Sequence, residues 1–252
     1  MKAKPPIGLE TQFLAHPLHT LFFCTIALNT YALVAFVLIG LAVPGAVERF
    51  AAPGLEEVKI MWRLQVLVQI VCFIHVSLWA ERIGTGPFAG RMRTSVSWIL
   101  FAILASPVVS LLIQRLVYYT LLSGDPDGVY TSETAQLMTS YEAIGPMMLF
   151  GILIAAPLVE ETIYRGVGIG YLLARGIPDF VAILMTAIAF TVIHSQYSPS
   201  AMVTVFLSGL FLGWLRVRSG SMMPSIAAHM VINLQAVLIL LESGSAAASS
   251  AS

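Results

Sequence analysis

Residues 145–178 read GPMMLFGILIAAPLVEETIYRGVGIGYLLARGIP, an apolar run with two adjacent glutamates at its middle, Glu160 and Glu161, and an arginine, Arg165, one helical turn later. The run is long enough to cross a bilayer once, because about 20 apolar residues span roughly 30 Å of hydrocarbon as a helix. It ends at Arg175-Gly176-Ile177-Pro178, which is typical of a helix stop followed by a turn. An ionisable group at the centre of a bilayer costs about 2.5–3.5 kcal/mol on insertion scales. We therefore expect these charged residues to have a function in the protein.

The composition is that of an integral membrane protein. Hydrophobic residues make up 58% of the 252 residues and charged residues only 10%, whereas roughly a quarter of a soluble domain is charged. Because 13 basic residues balance 13 acidic ones, we expect neither nucleic acid nor an anionic lipid surface as a main partner. Cys24 and Cys72 lie in apolar runs without CxxC spacing, which predicts core or lipid-facing residues and no disulfide or thiolate metal site.

The charge-free runs predict an all-α, polytopic membrane helical bundle with seven or eight transmembrane helices in a lipid bilayer. Three spans and a polar extramembrane loop at 123–142 form an N-terminal region, residues 1–144. A core follows at 145–242, in which the sequence SQYSPS at 195–200 divides a long apolar run into two short spans. A Gly/Ala/Ser tail at 243–252 is expected to be disordered.

Lysine and arginine in short loops predict the orientation, because they favour the cytoplasmic side. The clusters that we assign to this side are Lys2 and Lys4; Arg82, Arg91 and Arg93; Arg175; and Arg216 with Arg218. The loop at 123–142 has no Lys or Arg and falls on the other side. We therefore expect a multi-pass protein of a bacterial inner membrane with a cytoplasmic N-terminus.

Three pairs of residues, each with at least one polar member, stand four positions apart in the predicted core helices. This spacing puts two side chains on one helix face about one turn apart. The pairs are Glu161 with Arg165, Phe190 with His194, and His229 with Asn233, and Glu160 stands directly before the first pair. In a hairpin that turns at Gly176, Glu160 and His194 reach similar depth, so the two could meet across the helix interface. The sequence does not fix the depth of His229.

These side chains suit the hydrolysis of an amide bond. A carboxylate and an imidazole that share a water can remove its proton, and Glu160 with His194 are the candidates for that task. Donors that face the same water can stabilise the oxyanion, each worth roughly 3–4 kcal/mol, and His229 with Asn233 suit this role.

Two more side chains have supporting roles in this hypothesis. Arg165 would neutralise Glu161, one turn away, and hold the geometry of the helix. The Phe190 ring would pack in the core and brace His194.

The chain resembles a known family in three motifs. It has EETIYR at 160–165, FTVIH at 190–194 and HMVIN at 229–233, which match the EExxxR, FxxxH and HxxxN motifs of the CPBP family in the same order. This family is also called Abi or type II CAAX proteases. The resemblance implies a glutamic-type intramembrane endopeptidase, in which the first Glu and first His activate water and the second His and the Asn stabilise the oxyanion. The substrate does not carry over from the family; we expect a membrane-associated protein or peptide as substrate and no cofactor.

Several alternatives remain open. Taken singly, a histidine in a membrane helix is more often a hydrogen-bonding residue of the bundle than a catalyst. Glu160, His194 and His229 resemble a zinc ligand set with a second Glu left as base, although the HExxH pattern is absent. The protein could instead be a non-catalytic membrane scaffold or sensor of the same family, or a proton-coupled transporter, for which an internal repeat would be expected. The oligomeric state cannot be read from the sequence.

Overall fold

The computed structural model describes residues 16–42, 45, 54–82, 94–121 and 145–250. In these ranges the chain forms helices and no strand, as an all-α bundle requires. The helices are α1 (Pro17–Ala42), α2 (Leu55–Arg82), α3 (Val96–Leu121), α4 (Gly145–Ala174), α5 (Asp179–Val192), α6 (Pro199–Ser219) and α7 (Met223–Ser250). The predicted polar loop at 123–142 lies outside the described residues.

Five of these helices, α1 to α4 and α6, are long and apolar enough to cross a bilayer. Helix α5 and the apolar part of α7, Met223–Ile239, are shorter. At 1.5 Å per residue the 14 residues of α5 extend about 21 Å, which is less than the roughly 30 Å of a hydrocarbon core. The structure thus confirms a helical membrane bundle, and the count of seven or eight spans stays a prediction.

Helix α4 occupies the centre of the bundle. In its apolar segment 56% of the residues are buried, against 17–28% in α1, α2 and α3. It packs against α1, α2, α5, α6 and α7, whereas the three N-terminal helices expose large apolar side chains on their outer faces. Helix α4, which carries most of the buried charged residues, is therefore the helix that is best shielded from lipid. This agrees with the high free-energy cost of placing a charge in hydrocarbon.

Helix α4 departs from regular α-helical geometry in two segments. Gly151–Ala155 and Thr162–Ile169 are π-helical, and the short α-helical piece Ala156–Glu161 between them carries the two glutamates. Extended π-helical segments are rare and occur frequently at functional sites, because they shift the direction of the side chains that follow.

The turn between α4 and α5 lies where the sequence predicts it. Gly176 has a φ of +75°, in the left-handed region. Its N–H donates to the carbonyl of Leu173 at 3.0 Å, and the N–H of Ile177 donates to the carbonyl of Leu172 at 3.1 Å. These two bonds form a Schellman motif, which closes the C-terminal end of α4.

We expect Gly176→Ala to lower the free energy of unfolding by about 1–2 kcal/mol, because an L-residue is strained in the left-handed conformation. No atom lies within 4 Å of a Cβ built at this position, so the loss reports backbone conformation and no clash. Gly176→Asn is the matched control and should cost less, since asparagine tolerates this conformation better. Thermal unfolding in detergent measures both, and equal stability of the alanine variant would contradict the left-handed turn.

The structure differs from the sequence expectation at two places near the C-terminus. Helix α7 continues to Ser250, into the predicted disordered tail at 243–252, where alanines at 246–248 are strong helix formers. Arg216, which we counted as a loop charge, lies inside α6 and is fully buried. The predicted orientation therefore depends on the other basic residues and stays a prediction.

Candidate active site

The three charged residues of α4 are buried in the bundle. Glu160 is 7% exposed, and Glu161 and Arg165 are 0% exposed. Nη1 of Arg165 donates to Oε1 of Glu161 at 3.1 Å, and Nη2 donates to the carbonyl of Gly209 in α6 at 2.9 Å. The charge is thus paired and both Nη atoms have acceptors, as a buried charge requires, whereas Nε has no acceptor among the described residues.

His229 of α7 reaches both glutamates, which settles the depth that the sequence left open. Its Nδ1 lies 3.0 Å from Oε1 of Glu161, and its Nε2 lies 3.7 Å from Oε2 of Glu160. Because Glu161 accepts from Arg165 and is an acceptor as a carboxylate, Nδ1 of His229 is the donor in this pair. In the neutral imidazole Nε2 is then an acceptor, and it faces Glu160 across a gap too wide for a direct hydrogen bond.

His194 lies in the turn after α5 and not on the helix, which ends at Val192. Its Nδ1 is 2.8 Å from the carbonyl of Phe190. Since a carbonyl oxygen only accepts, Nδ1 carries the proton, and in the neutral ring Nε2 is an acceptor. Among the described side chains the imidazole within 4 Å of a Glu160 carboxylate oxygen is that of His229, and the shared water predicted between Glu160 and His194 stays a prediction.

Phe190 connects the parts of the site. Its ring centroid lies 4.8 Å from that of His194 and 5.8 Å from that of His229. The guanidinium carbon of Arg165 lies 4.8 Å from the same centroid, within the range of a cation–π contact. The ring therefore contacts both imidazoles and the arginine, a wider role than the bracing of His194 alone.

Asn233 contacts the backbone of α4. Its Nδ2 donates to the carbonyl of Ile152 at 2.9 Å, inside the first π-helical segment. An amide nitrogen carries two hydrogens, so one remains for a second acceptor. The structure thus places Asn233 against α4, and the predicted role in oxyanion stabilisation stays a prediction.

Sequence reasoning missed three residues that shape this site. The Tyr164 ring is fully buried and contacts Phe190 edge-on with centroids 5.2 Å apart. Gly209 supplies the carbonyl for Arg165, and Arg216 donates to the backbone of Arg165. Two signals were available: an arginine within an apolar run, and GLFLG at 209–213, a GxxxG pattern typical of close helix packing in membranes.

The close packing at this pattern is visible in the structure. A Cβ at Gly213 would lie 2.9 Å from Cγ2 of Ile183, and a Cβ at Gly209 would lie 3.3 Å from Cβ of Ala187. Glycine at both positions therefore lets α6 approach α5. This approach brings the carbonyl of Gly209 within reach of Arg165.

The residues that we considered as zinc ligands do not assemble as a set of three. Within the described residues no group of three His, Cys, Asp or Glu side chains is close enough to hold a metal ion. Glu160 and His229 are neighbours, but His194 contacts Phe190 instead. This arrangement does not fit a three-ligand zinc site, and zinc dependence stays an untested alternative.

Comparison with known proteins agrees with the motifs. The model of a family described as type II CAAX prenyl endopeptidase, Rce1-like, matches residues 143–235, a range that contains all the predicted site residues. A 24.3 kDa protein of Escherichia coli, described as uncharacterized, is 34% identical over 86 residues, which are 33% of this chain and 40% of that protein. No solved structure matches the chain. Residues 143–235 therefore resemble the Rce1-like family of type II CAAX prenyl endopeptidases, as the three motifs indicated.

Proposed function

We propose that the protein is an intramembrane endopeptidase that hydrolyses a peptide bond of a membrane-associated protein or peptide with a water held by Glu160 and His229. The observation that carries this proposal is the position of His229, whose two ring nitrogens face two buried glutamates of α4. Two carboxylates and an imidazole inside an apolar bundle cost folding free energy. Ionisable residues in membrane helices are therefore rare and typically mark functional sites. The family match supports hydrolysis as the function of this site.

In the proposed mechanism Glu161 and His229 form the orienting half of the site. Glu161 is neutralised by Arg165 and accepts from Nδ1 of His229, which fixes the tautomer and the ring orientation. Nε2 then faces Oε2 of Glu160 at 3.7 Å. A water beside this gap can donate to both atoms, because polar groups beyond direct hydrogen-bond reach are often bridged in this way.

Glu160 is the proposed general base. It takes a proton from the water as the water oxygen attacks the scissile carbonyl, and it later returns that proton to the leaving amine. This assignment replaces the pairing of Glu160 with His194 that the sequence suggested, since the imidazole next to Glu160 is His229.

His194 and Asn233 are proposed to act on the substrate side. The Nε2 atom of His194 is left open by the bond from Nδ1 to Phe190. Asn233 has a second N–H besides the one that binds Ile152. The second N–H of Asn233 is available to donate to the substrate carbonyl as it becomes an oxyanion, and Nε2 of His194 can do so only when its ring is protonated to an imidazolium.

The remaining predictions about the membrane setting belong to the same proposal. We propose that α5 and α7 complete a bundle of seven spans as short helices, in a bacterial inner membrane with a cytoplasmic N-terminus. The site lies among α4, α5, α6 and α7, so the scissile segment of the substrate has to enter between these helices.

Purified full-length protein in lipid nanodiscs tests this function. The probes are a peptide with a prenylated C-terminal CAAX sequence, the same peptide without the prenyl group, and an unrelated unprenylated hydrophobic peptide. We expect mass spectrometry to show two fragments from at least one of them. Folded protein that cleaves none would favour the non-catalytic scaffold, whereas cleavage that is lost on chelation would favour the zinc-dependent alternative.

Two substitutions at His229 separate its two nitrogens. His229→Asn keeps a donor near the Nδ1 position, toward Glu161, and removes Nε2, so we expect a folded protein whose kcat/KM is lower by about a hundredfold. His229→Gln reaches the Nε2 position but loses the bond to Glu161. His16→Asn, at an exposed histidine before α1, is the control and should keep full activity. Initial cleavage rates measure this, and an undiminished rate in His229→Asn would refute the role of Nε2.

A further inference from the structure

Arg216 is a second fully buried arginine, and it belongs to none of the three motifs. It is 0% exposed and lies in the last turns of α6. Its Nε donates to the main-chain carbonyl of Arg165 at 3.0 Å. A buried guanidinium is costly unless its hydrogen bonds are made, so its presence against the catalytic helix requires an explanation.

Arg165 and Arg216 join α4 and α6 by bonds that run in opposite directions. The side chain of Arg165 donates to the backbone of α6 at Gly209, and the side chain of Arg216 donates to the backbone of α4 at Arg165. Gly209 and Arg216 are seven residues apart, so they lie about two turns apart on one face of α6. We name these two bonds the arginine clasp.

The carbonyl that Arg216 binds lies in the π-helical segment Thr162–Ile169. Where a helix departs from the α pattern, backbone groups lose their regular partners and need others. The other π-helical segment has a comparable contact, since Asn233 donates to the carbonyl of Ile152. Each irregular segment of α4 is thus held by a polar side chain from a neighbouring helix.

A continuous series of hydrogen bonds leads from Arg216 to the proposed reacting groups. Arg216 binds the carbonyl of Arg165, Nη1 of Arg165 binds Oε1 of Glu161, and the same oxygen binds Nδ1 of His229. The three distances are 3.0, 3.1 and 3.0 Å. A displacement of the Arg165 backbone would therefore change the direction in which Glu161 presents its acceptor to His229.

We propose that Arg216 is a positioning residue of the active site: it fixes the π-helical backbone at Arg165 so that Glu161 holds His229 in the tautomer and orientation needed beside Glu160. This inference rests on the proposed function and extends it to a residue outside the motifs. In this proposal Arg216 acts on the reacting groups through Arg165 and Glu161.

The test compares Arg216→Lys and Arg216→Met with the control Arg218→Met, two residues further along α6 at an exposed position. Lysine keeps the positive charge, so a cation remains buried at this position. Its ammonium replaces the planar guanidinium, which alters the hydrogen bond to the Arg165 carbonyl. We expect the lysine variant to remain folded, with kcat lower by about 10–100-fold and KM unchanged, the range found when supporting hydrogen-bond partners of a site are mutated. Arg218→Met should leave both constants unchanged.

A second readout does not require activity. The chain has five histidines, so the imidazole nitrogen resonances of His229 can be assigned by their loss in His229→Asn. We expect the Nδ1 resonance to shift in Arg216→Lys and to stay in place in Arg218→Met. This arm tests the positioning role even if no peptide is cleaved, which keeps it separate from the test of the proposed function.

Defined outcomes overturn the inference. A folded Arg216→Lys variant with unchanged kcat and an unchanged His229 resonance would show that the clasp does not reach the site. If Arg216→Met is unfolded, the lysine variant decides alone. Loss of the folded state in both variants would assign Arg216 a purely structural role and would also overturn the proposal.

Discussion

Glu160→Gln should lower the rate of peptide hydrolysis by about 10²–10⁴-fold, the usual contribution of a general base, while the protein remains folded. Glutamine has the shape of glutamate but cannot take a proton from water. The substitution leaves the ion pair of Glu161 with Arg165 in place, because Glu160 is not part of that pair. Cleavage rates of the peptides described above and thermal unfolding in nanodiscs measure the two effects.

Glu56→Gln is the matched control for this experiment. Glu56 is exposed at the start of α2 and pairs with Lys59 at 2.7 Å, a contact of the kind that contributes little to stability. We expect full activity in this variant. A wild-type rate in Glu160→Gln would show that the base is another group.

Arg165→Met should lower the free energy of unfolding by about 3–5 kcal/mol, as expected when one partner of a buried ion pair is removed. Glu161 would be left as an unpaired charge at 0% exposure, and the carbonyl of Gly209 would lose its donor. Arg218→Met, at an exposed position of α6, is the control and should unfold like the wild type.

A double substitution identifies the cause of that loss. In Arg165→Met with Glu161→Gln no charge is left unpaired, and the amide side chain introduced by the second change still has an oxygen that accepts from His229. The double variant should therefore be more stable than Arg165→Met alone, and a double-mutant cycle over the four proteins gives the coupling energy. Additive losses would mean that the pair does not interact as its 3.1 Å distance indicates.

The boundaries of the helices could be predicted because they follow from local features of the sequence. The apolar runs at 18–43, 60–80 and 96–122 predicted α1, α2 and α3, although α2 begins five residues earlier, at Leu55. Gly176 with Pro178 marked the turn after α4. Gly176 predicted the end of the helix correctly because its φ of +75° is a conformation that other residues avoid. The three motifs likewise placed the polar residues at helical spacing.

The arrangement of the site could not be predicted, because it depends on how the helices pack. The π-helical segments of α4 have no local sequence signal, and they change the direction of the side chains that follow Glu161. Helix α5 ends before His194, which moves this histidine into a turn. The close approach of α6 to α5 at Gly209 and Gly213, and the contact of His229 with Glu160, join residues far apart in the sequence.

The most direct test of the account is hydrolysis in water enriched in oxygen-18, with the full-length protein in nanodiscs and Glu160→Gln prepared in parallel. If Glu160 and His229 activate water, the new C-terminal carboxylate of the wild-type product carries oxygen-18, and the Glu160→Gln preparation yields almost no product. Unlabelled product, or equal amounts of labelled product from both proteins, would contradict a water activated by Glu160.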